Sequence, residues 1–257
     1  MKNETVFSFR FKEASVYFVK LTCPENWKDL PRKDREQIAY DISVRLGQYF
    51  TYTATTWHEI LTWFGYKYTG LYSEFPSAFS WEDTFSNLLG THIGALALRD
   101  AGHPFNEAVT LALRRELEKL DVQPSYVARR VTEKLRGLWF SGDLLFFVEI
   151  RGRNLDIGLN DGFVTPWIAP SVCECAGAEA RPYPVPNLDV LCEYDFSVKF
   201  EIEPREWEKD KIMKIVYPDG KEKKRIEPAI HFAPIMDYIK KDAVEKYDFD
   251  VGPYSYG

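Results

Sequence analysis

The sequence is poor in cysteine, with four in 257 residues, too few for a disulfide framework. Cys173 and Cys175 form a C-x-C pair in a loop-like stretch, whereas Cys23 and Cys192 are isolated. No second close Cys or His pair completes a zinc set. We therefore expect free thiols in a reducing compartment. Half a metal site, a redox pair and a disulfide to Cys192 remain the open alternatives.

Acidic residues outnumber basic ones by 39 to 33, and the chain contains no long apolar run. A net charge of −6 argues against a general binder of nucleic acids or anionic membranes. No apolar run approaches the roughly 20 residues of a membrane-spanning helix. Arg10, Lys12 and Glu13 interrupt the apolar N-terminal residues, so no signal peptide is expected. The sequence as given predicts a cytoplasmic protein with a small molecule or a protein as partner. A leader removed earlier would instead make it periplasmic or secreted.

Several catalytic motifs are also missing. The sequence contains no G-x-S-x-G nucleophile motif and no P-loop. Gly152 and Gly158 do not have the spacing of a dinucleotide-binding fingerprint. Strands and helices do not alternate regularly along the chain, which argues against a Rossmann fold or a TIM barrel.

What is present is the composition of a globular protein, with 45% hydrophobic, 28% charged and 16% aromatic residues. Residue periodicity predicts one α+β domain over residues 1–257. A helical block at about 34–140 packs on a mainly antiparallel sheet at about 143–230, and a helix at about 233–246 closes the chain. Strands are expected within 5–20, 144–150, 154–159, 163–167, 189–203 and 211–217, with a hairpin turn at 218–221.

The most suggestive polar residues lie between positions 55 and 92, on predicted helices 34–64 and 81–99. Helical spacing aligns Thr55, Glu59 and Thr62 on the first helix and Asp83, Asn87 and Thr91 on the second. Buried polar stripes need partners, and two facing stripes would supply them or hold a ligand in a pocket between the helices. The candidate catalytic residues are Glu59, His58, Glu82 and Asp83, the candidate binding residues are Trp57, Trp63, Trp81 and Asn87, and the candidate ligands of a divalent metal are His58, Glu59 and His92.

Each candidate has a structural alternative. His58-Glu59 begins like the zinc motif H-E-x-x-H, but Thr62 occupies the position of the second His, which excludes a zincin. Glu82 and Asp83 suit the positive end of a helix over 81–99 whose N-cap is Ser80. Glu59 stands among aromatic residues, where burial would raise the pKa of its carboxyl.

The segments Thr56–Gly65, Ser77–Asp83 and Ser86–Gly90 resemble a bacterial family known as domain of unknown function 4056. Gly162–Trp167 and Ile226–Pro228 also look similar, so the resemblance spans roughly residues 35–245. Members of that family often look like secreted proteins or lipoproteins, which implies a place in the cell envelope. The resemblance implies no activity, and no catalytic role is transferred with it.

Two functional hypotheses remain open. The first is a hydrolase-like or metal-dependent enzyme, with Glu59 as base or metal ligand and His58 and His92 as ligands or proton carriers. The second is a non-catalytic binding or scaffold protein, in which the polar stripes are internal hydrogen-bond networks. Exposure of the polar groups to a cleft would favour the first, and complete burial would favour the second.

Overall fold

The computed structural model describes residues 4–67, 73–142, 148–169, 177, 179–220 and 223–247. The helices are α1 (Arg32–Trp63), α2 (Asp83–Arg99), α3 (Phe105–Lys119), α4 (Ser125–Leu135), α5 (Asp189–Glu193), α6 (Lys209–Val216) and α7 (Pro228–Tyr247). The strands are β1 (Glu4–Phe9), β2 (Val16–Thr22), β3 (Phe140–Ser141), β4 (Glu149–Ile150), β5 (Phe163–Val164), β6 (Tyr183–Pro184) and β7 (Ser197–Glu203). The predicted α+β class, with helices packed against antiparallel strands and a helix near the C-terminus, is confirmed.

The chain divides into two compact units. Unit 1 comprises Met1–Tyr66 and Pro186–Met236, and unit 2 comprises Lys67–Val185 and Asp237–Gly257. The prediction of a single domain stays a prediction. In the described part of the chain, no helix combines the length and the apolar character that a bilayer crossing requires.

Unit 1 is organised around a three-stranded antiparallel sheet in the order β1-β2-β7. β1 and β2 form an N-terminal hairpin in the region 5–20 where extended structure was predicted, with Phe7 opposite Val19. β7 pairs with the other edge of β2, with Val19 opposite Phe200. The N-terminal hairpin therefore joins a strand from the later part of the chain.

Helix α1 packs its aromatic residues on one face of this sheet. The ring of Phe50 lies 4.5 Å from that of Phe200, and Tyr49 meets the same ring edge-on at 5.9 Å. Phe9 stacks on Tyr17 at 5.0 Å. Rings at these separations gain stability beyond the burial of their area, so this aromatic layer fixes α1 on the sheet.

The course of α1 follows from its sequence. Tyr52, Thr53, Ala54 and Thr56 are buried, which explains why a β-branched segment remains helical there. Gly65 ends the helix with a φ of 102°, and its N–H donates to the Thr62 carbonyl at 3.1 Å. The next N–H, from Tyr66, donates to Leu61 at 3.0 Å. These two bonds are those of a helix that ends at a glycine in the left-handed conformation.

Unit 2 contains α2, α3 and α4 and two short two-stranded sheets, β3-β4 and β5-β6. α2 packs against α3. A cluster of tryptophans fills the space beside β3, with Trp139 in contact with Trp81 at 5.6 Å and with Trp167 at 5.3 Å. Leu135, Phe140 and Ile150 complete the buried part of this cluster.

A fully buried arginine joins two loops of unit 2. The Arg153 guanidinium donates to the backbone carbonyls of Phe75, Pro76 and Ala78 and lies over the Phe75 ring. The Asn154 N–H donates to the carbonyl of Phe79, a residue with a φ of 52°. Non-glycine residues reach that conformation at a cost, so Arg153 and Asn154 hold an unfavourable turn in place.

Several predicted elements are wrong in type or extent. Residues 154–159 form no strand, and 189–203 begins as helix α5 before β7. Residues 211–217, predicted as a strand, lie largely in helix α6, because Ile212 and Val216 are spaced for one helix face. No strand therefore precedes the turn at 218–220, which excludes the predicted hairpin. Residues 144–147 lie outside the described residues.

Replacing Arg153 by Met should destabilise unit 2 by roughly 3 kcal/mol or more. The change removes the charged donor from one buried carbonyl, that of Ala78, and from the partly buried carbonyls of Phe75 and Pro76, and the loss of a buried hydrogen bond costs about 1–3 kcal/mol. Urea unfolding followed by tryptophan fluorescence measures the effect. Arg151→Met is the control, because Arg151 is exposed; equal unfolding midpoints for the two variants would contradict this role of Arg153.

Candidate functional site

Helix α1 brings His58 against an acid that lies in the loop between β1 and β2. His58 Nδ1 is 2.7 Å from Glu13 Oε1, and the Glu13 side chain has no solvent exposure. The His58 side chain keeps 21% of its surface exposed, and its ring meets that of Tyr66 edge-on. The negative charge beside Nδ1 favours the tautomer that is protonated there, although the contact lacks the alignment of a hydrogen bond, so the two residues form a carboxylate–histidine dyad held by charge.

A second buried network lies in the same unit. Ser15 donates its N–H to Glu206 Oε1 at 2.6 Å and its hydroxyl to Glu206 Oε2 at 2.7 Å. The Arg205 N–H also donates to Oε2, at 2.9 Å. Trp57 Nε1 donates to Ser15 Oγ at 2.9 Å. The network thus connects the hairpin loop, α1 and the segment after β7. The negative charge of Glu206 is stabilised by three hydrogen-bond donors, two from Ser15 and one from Arg205.

The acids of both networks affect the ionisation of Tyr17. Burial is the main cause that raises the pKa of its phenol above the ordinary value, and the negative charges of Glu13 and Glu206 raise it further. The Tyr17 ring is fully buried. A phenol in this environment keeps its proton, so Tyr17 is a neutral group beside two acids.

The other candidates on α1 are core residues. Trp57 is fully buried and stacks on Phe232. Trp63 and Glu59 are also buried, with 3% and 8% of their surfaces exposed. The prediction that the tryptophans wall a pocket stays a prediction, as does the catalytic role of Glu59.

The candidates at the start of α2 have structural roles. Asp83 Oδ2 accepts the Ser80 N–H at 3.0 Å, which closes the turn before the helix. The helix begins at Asp83 with Glu82 at the N-cap position, which corrects the predicted helix over 81–99 with Ser80 as its N-cap. Glu82 is exposed, yet enough protein surrounds its carboxyl that desolvation, followed by the charge of Asp83, raises its pKa.

Trp81 and Asn87 are half-buried. Trp81 belongs to the tryptophan cluster described above. The Asn87 carbonyl accepts the Thr91 hydroxyl at 2.8 Å, so the helix itself satisfies part of the polar stripe that the sequence suggested. Their roles in ligand binding remain predictions.

His92 lies beside a buried acid in unit 2. Its Nε2 is 3.9 Å from Glu116 Oε1, and the Glu116 side chain is only 2% exposed. Glu116 also accepts hydrogen bonds from Lys119 Nζ at 2.6 Å and from the Tyr183 hydroxyl at 2.7 Å. Burial lowers the pKa of His92. Burial, with the bond to Glu116, raises the pKa of Tyr183 to about 12.

The predicted metal site finds no support in the described residues, where no group of three or more His, Cys, Asp or Glu side chains could hold a metal ion. His58 and Glu59 belong to unit 1, and Glu82, Asp83 and His92 belong to unit 2. The prediction of one pocket shared by their helices stays a prediction. Cys173 and Cys175 lie outside the described residues, and Cys23 and Cys192 are free thiols.

The acids that partner the histidines were missed by sequence reasoning. Glu116 had a signal, because it continues the stripe of Ala108 and Ala112 at intervals of four residues on the buried face of α3. Glu13 had none, and neither had Glu206, the acid that accepts the hydrogen bonds of Ser15. Each lies in a polar loop, where an acid is ordinarily exposed, and only the long-range strand pairing buries them.

Residues 25–144 match the model of a family described as "Protein of unknown function (DUF4056)". The match confirms the predicted resemblance and includes helices α1 to α4. The predicted span of 35–245 was wider, and the similar segments at 162–167 and 226–228 lie outside the matched range. No curated protein matches the sequence, and no solved structure matches the chain. The geometry of the side chains therefore carries the functional argument.

Replacing Ser15 by Ala should lower the free energy of unfolding by roughly 1–3 kcal/mol. The change removes a donor to the buried Glu206 carboxylate and the acceptor of Trp57 Nε1, and buried groups without partners cost about that much. Urea unfolding measures the loss. Ser43→Ala is the matched control, because its hydroxyl bonds the Tyr40 carbonyl at an exposed position. A loss no larger than that of the control would contradict the network.

Glu116 should make unit 2 sensitive to acid. Although burial raises its pKa, the hydrogen bonds from Lys119 and Tyr183 outweigh burial, so its pKa lies below the ordinary 4.5. The carboxylate therefore stabilises the fold above about pH 4.5, and this contribution is lost as the pH falls through the lower pKa of the folded state. Urea midpoints between pH 7 and pH 3 should fall less steeply for Glu116→Gln than for the wild type. Glu118→Gln, at an exposed position on the same helix, should retain the wild-type slope.

Proposed function

We propose that unit 1 is a hydrolase-like enzyme in which His58 is the general base and Glu13 is its positioning residue. The observation that carries the proposal is the 2.7 Å contact between His58 Nδ1 and Glu13 Oε1. The carboxylate is fully buried while the imidazole keeps part of its surface exposed. A negative charge beside Nδ1 favours the tautomer protonated at that nitrogen, which leaves Nε2 as the base.

The proposed reaction is the hydrolysis of an ester. His58 Nε2 accepts a proton from water while the water oxygen forms a bond to the carbonyl carbon. The bond from that carbon to the leaving oxygen then breaks, and the imidazolium returns its proton to the leaving oxygen. Glu13 contributes through its negative charge, which stabilises the imidazolium without contact to the substrate.

A non-catalytic binding or scaffold protein, with the cell envelope as its location, is the second candidate. It is favoured by the network of Ser15, Trp57 and Glu206, which are exposed by 0%, 0% and 4% respectively. Polar groups buried to this extent bond to one another rather than to a ligand. Under this alternative the Glu13–His58 pair is one more internal contact of the same kind.

Replacing His58 by Gln should reduce kcat/KM for chromogenic carboxylic esters by about 10²–10⁴-fold, because the general base is lost. Glu13→Gln should reduce it more than tenfold, because the neutral amide no longer stabilises the imidazolium. Initial rates with p-nitrophenyl acetate and p-nitrophenyl butyrate measure both effects. Circular dichroism establishes that the variants are folded.

His103→Gln is the matched control for this experiment. His103 Nδ1 also pairs with a carboxylate, Asp100 Oδ2 at 3.0 Å, but on the surface. It therefore reports the hydrolysis that any accessible imidazole supports. Equal rates for the wild type, His58→Gln and His103→Gln would overturn the enzyme proposal. A loss of roughly 3 kcal/mol in unfolding free energy on breaking the buried pair, with no change in rate, would favour the binding protein.

A further inference from the structure

Strand β1 leaves one edge of the unit 1 sheet unpaired among the described residues, since the sheet order is β1-β2-β7. Exposed edges are normally blocked by proline, lysine or a bulge, because their free N–H and C=O groups pair with other strands. β1 contains neither proline nor lysine, and its pairing with β2 continues without a break from Glu4 to Phe9. The edge is therefore competent to accept another strand.

The apolar face of the sheet also runs to this edge and stops there. Phe7 and Phe9 point to the same face, since residues two apart in a strand do so. Phe9 is covered by Tyr17 and Phe200 in stacked contacts, whereas Phe7 is 43% exposed and Val6 on the other face is 68% exposed. A strand added beside β1 would continue the core face over Phe7.

We infer that the added strand is β1 of a second copy of this chain, in antiparallel pairing about a two-fold axis. Opposite residues of an antiparallel pair point to the same face. A register that keeps the core faces of both copies on one side must therefore pair even-numbered residues with even-numbered ones and odd-numbered residues with odd-numbered ones. The register centred on Phe7 does so, with Phe7 opposite its own copy.

Charge selects this register from its neighbours. When Phe7 is opposite itself, Glu4 of each copy is opposite Arg10 of the other, and the two-fold axis produces this pair twice. The register centred on Val6 places Glu4 opposite Ser8, and the register centred on Ser8 places Glu4 opposite Lys12, which lies in the bend after β1 and outside the extended segment. Arg10 is exposed and follows β1 directly, and Glu4 is held by one partially exposed bridge to Lys20, which leaves its carboxylate accessible to a second cation.

A single pair of short strands covers little surface, and interfaces below about 1,000 Å² are weak or transient. The association is therefore concentration-dependent. Sedimentation velocity and light scattering over a concentration series up to about 1 mM, where binding is worth only about 4 kcal/mol, measure the dimer constant directly.

The test uses charge reversal at the two ends of the strand. Glu4→Arg and Arg10→Glu each place like charges opposite one another twice per dimer, so each should weaken the dimer roughly tenfold. The double variant restores opposite charges, and its dimer constant should return to within about threefold of the wild type. Glu36→Arg is the control, because it makes the same charge change on α1 and breaks one exposed bridge, to Arg32.

Recovery in the double variant, with no effect of Glu36→Arg, establishes the self-pairing of β1. A wild type that remains monomeric throughout the series overturns the inference. So does a dimer that neither single variant weakens, since another surface must then form it, or a dimer that both weaken and the double variant does not restore. Circular dichroism and melting temperatures of all variants separate a loss of pairing from a loss of fold.

Discussion

Unit 1 depends on the solvation of one buried carboxylate by the protein itself. Glu206 accepts the N–H and hydroxyl of Ser15 and the N–H of Arg205. Transfer of an ion out of water costs several kcal/mol unless such donors replace the water. All three donors are available only when the hairpin loop lies beside the end of β7, and Trp57 then bonds Ser15 from α1. The positions of the loop, the helix and the strand are thus tied to one charge.

The sequence was informative where local forces decide the structure. The helix ending at Gly65 and the hairpin of β1 and β2 were predictable, because a glycine cap and alternating apolar residues are local signals. Residues 211–217 were not, since a short apolar run fits both a strand and a helix. Ile212 is fully buried within unit 1, and this burial favours the helix over the strand.

The candidate site was half predictable for a related reason. His58 stood out because histidine is uncommon and its titration range is useful. Its partner, Glu13, lies 45 residues away in sequence in a polar loop, and nothing local distinguishes it from a surface acid. Polar side chains on one helix face suggested shared chemistry, yet Thr91 bonds the carbonyl of Asn87 in its own helix. Hydrogen bonds to the helix backbone are the ordinary use of a threonine there, and a periodicity argument cannot separate them from a site.

The long separation between β2 and β7 has a consequence for the newly made chain. Ser15 and Glu206 are 191 residues apart, and the Lys67–Val185 part of unit 2 is synthesised between the two parts of unit 1. At about 5–20 residues per second, the ribosome delivers β7 roughly 10–40 s after β2. During that interval the hairpin exposes the apolar side of Tyr17 and Val19 and a second open strand edge. Contacts between residues so far apart in sequence form slowly, so unit 1 keeps apolar surface exposed for this interval, whereas the 67–185 part of unit 2 can begin to fold before β7 is made.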